Sequence, residues 1–183
     1  MGRVYDTIGE SLQGFITSQP MFFVATAPMA AEGHVNLSPK GMDTLRVVDP
    51  TTIAYVDLVG SGAETIAHLR NNGRITVMWC SFGDKPRILR AYGRGEHLLP
   101  ADQPFQDLAA LFPKYRAVRS VIRVNVHRVA DSCGFGVPQM DLVGQRSRLI
   151  DWGDKRTDDE LEEYKREKNA LSIDGLPAFP ADG

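Results

Sequence analysis

Cysteine is scarce: Cys80 and Cys133 are the only two in 183 residues. They are not spaced as a metal pair or a redox motif, so a reduced, cytoplasmic setting is expected. Histidine is equally thin, and His34, His68, His97 and His127 do not cluster with cysteines or carboxylates, which argues against a metal site. No apolar run approaches the roughly 20 residues of a membrane span, and the opening residues lack the apolar stretch of a signal peptide. A formal net charge of -2 gives no chain-wide positive field, so neither nucleic acid nor an anionic membrane is an expected partner. Gly93-Arg94-Gly95 lacks the strand-turn-helix setting of a dinucleotide fingerprint. Ser132-Cys133-Gly134 does not resemble a nucleophile elbow. No repeat or low-complexity segment is present, and no catalytic acid, base or nucleophile stands out.

What is present is a succession of short β-prone segments. Met21 to Ala27 is rich in aromatic and β-branched residues and stops at Pro28. A second strand starts near His34 and is expected to end at Ser38-Pro39-Lys40-Gly41. Others cover Thr52 to Val59, Arg74 to Cys80, Arg87 to Leu98 with a bend at Gly93 and Gly95, and a long stretch from Val118. In that last strand Ile122, Val124 and Val126 alternate with Arg123, Asn125 and His127.

Helices are expected in the connections. One is capped by Asp6 and buries Ile8, Leu12, Phe15 and Ile16; one covers Ala63 to Asn71; one covers Pro104 to Phe112. Thr157-Asp158-Asp159-Glu160 has the pattern of a capping box opening a last helix. Strand and helix do not alternate regularly, which excludes a parallel doubly wound sheet. The expectation is a mainly β (α+β) chain with a six-stranded antiparallel split β-barrel, short connecting helices and a helical C-terminal tail. Residues 1-150 would form the barrel domain and 151-183 a tail packing on the barrel or on a partner.

With no global charge bias, an anion must be bound locally. Ser38, Pro39 and Lys40 put a hydroxyl and a cation at a strand end, which is also the chemistry of a plain turn. Ser61, Gly62, Ala63 and Thr65 surround the start of a short helix, where amide groups and the helix dipole favour negative charge. Asp57 falls in mid-strand on one face with Ile53, Tyr55 and Val59 and needs a partner, for which an arginine across the sheet suffices.

In this order, Val35 to Leu37 followed by Ser38-Pro39-Lys40-Gly41, then Tyr55-Val56-Asp57-Leu58-Val59-Gly60-Ser61, then Arg87-Ile88-Leu89-Arg90-Ala91-Tyr92-Gly93, the chain resembles the pyridoxamine 5'-phosphate oxidase-like split-barrel family. The resemblance covers most of residues 15 to 130. The segments Gly134 to Pro138 and Ser172 to Pro177 are more similar to an uncharacterised branch than to the oxidase itself. The resemblance implies FMN bound at the interface of a homodimer, with Lys40 and Ser61 near the phosphate and Val56, Asp57 and Leu58 along the ring system. Arg87 and Arg90 match an Arg-X-X-Arg strand, although Ile88 replaces the family's flavin-contacting glutamine.

Gly62 and Ala63 stand where the oxidases place an arginine and a lysine. Side-chain cations must therefore come from elsewhere, and Arg46, Arg70, Arg74 and Arg90 are candidates. The substrate-clasping Arg-X-His of the oxidases is missing, so the expected activity is an FMN-dependent oxidoreductase acting on another small molecule, with NAD(P)H as a possible donor. The alternative is a flavin, deazaflavin or haem carrier without turnover.

Overall fold

A computed structural model describes residues 2–179. Met1 and the last four residues of the expected tail segment, 180–183, lie outside the described residues.

Eight strands form one antiparallel sheet. They are β1 (Val4–Tyr5), β2 (Phe22–Thr26), β3 (Asn36–Lys40), β4 (Leu45–Asp49), β5 (Thr52–Leu58), β6 (Arg74–Cys80), β7 (Ile88–Leu98) and β8 (Val118–Ser132). The order is β3-β2-β6-β7-β8-β5-β4, with β1 added along β8. The sheet is left open between β3 and β4, as a split barrel requires. The six-strand expectation missed β1 and β4. Ser38, Pro39 and Lys40 are also part of β3 itself and do not form the turn that follows a strand. Pro39 is tolerated there because β3 is an edge strand, where a missing N–H leaves no ladder bond unmade on the open side.

Both faces of β5 are covered, and its residues divide by parity. Ile53 and Tyr55 enter the main core with Val24, Ile66, Val77, Trp79 and Leu89, whereas Ala54, Val56 and Leu58 enter a second cluster with Leu98, Phe105, Leu108 and Phe112. This period of two makes β5 the wall between two apolar layers. Asp57 shares the parity of Ile53 and Tyr55 and has no solvent exposure.

The expected bend in β7 is present, because the β7-β8 register shifts between Tyr92 and Gly93. A Cβ at Gly93 would run into the backbone of Asn125, so only glycine permits this close approach.

Helices α1 (Glu10–Ser18), α2 (Glu64–Asn72) and α3 (Gln103–Ala109) cover the sheet. Leu12 and Ile16 of α1, with Ile8 before it, are buried as their spacing requires, but Gly9 holds the N-cap position and Asp6 does not. Helix α2 ends at Gly73, whose φ of 69° is the left-handed conformation that glycine adopts without steric cost.

The chain then continues through α4 (Arg148–Asp154), which the sequence did not reveal, and α5 (Asp158–Lys168). At α5 the capping box is complete: Thr157 Oγ1 accepts from Glu160 N, and the Glu160 carboxylate accepts from Thr157 N at 2.8 Å. Leu161 packs with Val59 and Ala117, and the Trp152 and Tyr164 rings meet edge to face at 5.0 Å. The final segment turns back on the same chain through a bridge between Leu171 and Pro177, and Ala178 is fully buried in the main core.

Candidate functional site

The open seam of the sheet contains a cleft of about 320 Å³. One side is β3 and the connection after it, contributing Ser38, Pro39, Lys40, Met42 and Thr44; the other is β5 and the loop into α2, contributing Val56, Leu58, Ser61, Gly62 and Glu64. Arg119 and Leu149 complete the wall. Seven of the expected site residues therefore meet at one place although Ser38 and Gly62 are separated by a complete hairpin.

The cations of this cleft are organised by Asp57. Its Oδ1 lies 3.0 Å from Lys40 Nζ, and its Oδ2 accepts from Arg119 Nε at 2.8 Å. Arg119 also donates to the Gly62 carbonyl at 2.7 Å, so one guanidinium ties β8 to β5 and to the loop before α2. Burial works to raise the Asp57 pKa, but the charges and hydrogen bonds of Lys40 and Arg119 outweigh it and hold the carboxyl below the usual range. The carboxylate so favoured pins two cations at the cleft wall.

Arg119 was not among the cations expected from sequence. The β5-β8 register shifts between Asp57 and Leu58, so that Ser120 opposes Asp57, Val118 opposes Leu58, and Arg119 is the extra residue of a bulge. Bulges re-aim side chains, and here the displaced residue points at Asp57. The candidates named instead are engaged elsewhere: Arg46 chelates Asp43 and lies 5.1 Å from the Phe112 ring centre, and Arg74 bonds Asn72 and the Pro28 carbonyl. Arg70 does not line the cleft.

Arg87 and Arg90 do not line it either. Arg87 donates to Asp131 at 2.8 Å and to the Tyr5 hydroxyl at 3.3 Å, while Arg90 donates to Ser132 at 3.1 Å. Ala63 and Thr65 are buried beneath the loop, Ala63 in the main core.

The hydroxyl groups form a directed chain. Ser38 donates to Asn36 Oδ1 at 2.8 Å, and Asn36 Nδ2 donates to Thr26 Oγ1 and Thr65 Oγ1, each at 3.1 Å. Because its hydrogen is committed to Asn36, Ser38 presents lone pairs to the cleft. Thr26 Oγ1 lies 3.0 Å from His68 Nδ1, and burial lowers the His68 pKa more than the nearby Asp174 and Glu64 carboxylates raise it.

Donors for an anion therefore reduce to Lys40, the Ser61 hydroxyl and the loop amides. Among the described residues, no hydrogen bond takes up the N–H groups of Ser61, Gly62 and Ala63. Two buried hydroxyls, those of Tyr55 and Ser120, lie behind the wall and do not line the cleft. Unbonded loop amides at Ser61 and Gly62 beside Lys40 are suited to holding an anion.

An open antiparallel sheet with this rim at its seam defines a split-barrel protein, and the family is shown directly. The sequence profile described as pyridoxamine 5'-phosphate oxidase matches residues 8–133, and the chain belongs to that family. It is similar to the pyridoxamine 5'-phosphate oxidase family protein ustO of Aspergillus flavus, at 38% identity over 192 residues covering 96% of this chain and 77% of that protein. Among solved structures it is similar to HupZ of Group A Streptococcus, with a TM-score of 0.52 at 20% identity over 67% of this chain and 91% of that one. It is also similar to a protein of Mesorhizobium loti, with a TM-score of 0.50 at 16% identity over 72% and 96% of the two chains. These two likenesses show the shared fold. No helix among the described residues is long and apolar enough to cross a membrane.

Proposed function

We propose that this protein binds FMN in the seam cleft and acts as a flavin-dependent oxidoreductase on a small organic molecule. The observation that carries the reading is the convergence of Lys40, Arg119 and the unbonded amides of Ser61 and Gly62 on one cleft. Lys40 and the amides would hold the phosphate, and the exposed edge of β3 and the Val56-Leu58 stretch of β5 would flank the ring system. The Mesorhizobium loti protein with the same fold is described as FAD-binding. A cleft of about 320 Å³ is at the small end of the range for ligand sites, which favours the mononucleotide and agrees with a pocket completed by a second copy of the chain.

When bound, the flavin supplies hydride or electron transfer. What this chain contributes is position and charge. Asp57 keeps Lys40 and Arg119 in place, Leu58 and Met42 limit water, and no protein acid or base is demanded by hydride transfer itself. NAD(P)H is the proposed donor, and the cytoplasm the proposed location.

The test is a spectrum of the purified protein, mass identification of the chromophore released on denaturation, and anaerobic addition of NADH or NADPH. A flavin spectrum that bleaches, then turns over repeatedly in air, supports the enzyme. A coloured protein inert to every donor leaves a carrier, and a colourless protein that takes up no added flavin removes the reading altogether.

A further inference from the structure

We propose that Glu64 is a charge-selecting residue of the cleft, lowering its preference for a ligand carrying a phosphate dianion over a neutral ligand with the same ring system. The inference rests on the flavin reading above and concerns the one lining residue whose charge works against it.

Glu64 is the first residue of α2 and lines the cleft. An acidic residue in a first turn ordinarily satisfies the helix dipole and points to solvent. Here the carboxylate is folded back over the loop, so that a Cβ added to Gly62 would overlap it. Its other oxygen accepts from the Ile173 N–H of the C-terminal segment at 3.2 Å. That segment is anchored in turn by Asp174, whose carboxylate accepts from His34 N at 2.8 Å and meets His34 Nδ1 at 2.6 Å. The tail therefore fixes the carboxylate against the same amide rim that an incoming anion would use.

The charge balance follows from the four ionised groups. Lys40 and Arg119 contribute two positive charges, Asp57 cancels one, and Glu64 cancels the other. As built, the cleft is formally neutral, and a dianion entering it must either displace the Glu64 carboxylate from Gly62 or share the rim with it. A neutral ring system pays no such penalty. Gly62 leaves room for this placement, since a Cβ there would oblige the flexible end of Glu64 to shift.

The experiment titrates the full-length apoprotein and its Glu64→Gln variant with FMN and with riboflavin, following flavin fluorescence at low ionic strength. Gln keeps the shape and the acceptor for Ile173 while removing the charge. The ratio of riboflavin Kd to FMN Kd should rise at least about tenfold in the variant, with the riboflavin Kd itself changing less than about twofold, because only FMN carries the dianion. Moderate salt should shrink that difference. Glu64→Ala should move the ratio in the same direction and serves if the first variant folds poorly. A ratio unchanged while both flavins bind overturns the proposal. Failure of the unmodified protein to bind either flavin overturns the flavin reading and this proposal with it, a result distinct from an unmoved ratio.

Discussion

Asp57 and Arg119 form a buried ion pair in which Nε and a terminal nitrogen of the guanidinium both lie 2.8 Å from one carboxylate oxygen, and neither side chain is more than 4% exposed. Removing one partner of such a pair leaves a desolvated charge, so Asp57→Ala should lower unfolding free energy by about 3 to 5 kcal/mol. Lys40 is a weaker contributor because it is partly exposed. Urea denaturation of Asp57→Ala and Lys40→Met, compared side by side, checks this ordering, and equal losses would contradict it.

Lys40 matters for ligand more than for folding. Lys40→Ala should weaken FMN binding by about 1.5 to 3 kcal/mol, the range for hydrogen bonds to charged groups. Riboflavin binding should change less. An unchanged FMN titration would remove Lys40 from the phosphate site.

His68 should make stability depend on pH near neutrality. Its folded pKa is below the ordinary 6.5 because of burial, so the unfolded chain binds the proton more readily. Stability is then full above about pH 6.5 and falls as the pH drops from there towards the folded pKa. His68→Leu should flatten the slope between about pH 7 and pH 5, leaving the part due to His97, whose pKa burial also lowers. Thermal melts across that interval read the difference, and identical slopes would rule His68 out as the source.

The Thr157 capping box is a local contribution to the tail. Thr157→Ala should cost about 1 kcal/mol, the usual value for losing an N-cap hydroxyl. Chemical denaturation should show a shifted midpoint with an unchanged slope. Because α5 touches the body of the protein through Leu161 beside Val59, the loss should register in the global transition.

A second copy of the chain is expected to complete the cleft. Sedimentation of the flavin-loaded protein should report a dimer across the micromolar range, and a monomeric loaded species would contradict the shared pocket.

Much of the fold was legible in the sequence. The alternation in β8 and the glycines of β7 declare strands, and Thr157 with Glu160 declares a helix start, because each signal is local. Strand β4 escaped because Leu45–Asp49 carries an arginine and an aspartate among three apolar residues, too mixed for either period. Pro39 was misread as the end of β3 because sequence does not say which strand is an edge. Arg119 was invisible for a related reason: its role depends on a register shift against Asp57, and register is a property of two strands together. The Glu64 contact with Ile173 joins residues far apart in the chain and leaves no local pattern.

Ala178, with no solvent exposure, belongs to the same apolar cluster as Ile66 and Ala67 of α2, so the main core closes only when the segment that turns back through the Leu171–Pro177 bridge is docked. A molecule in which that segment has come away leaves part of its interior open to water, where exposed apolar surface invites association with other chains.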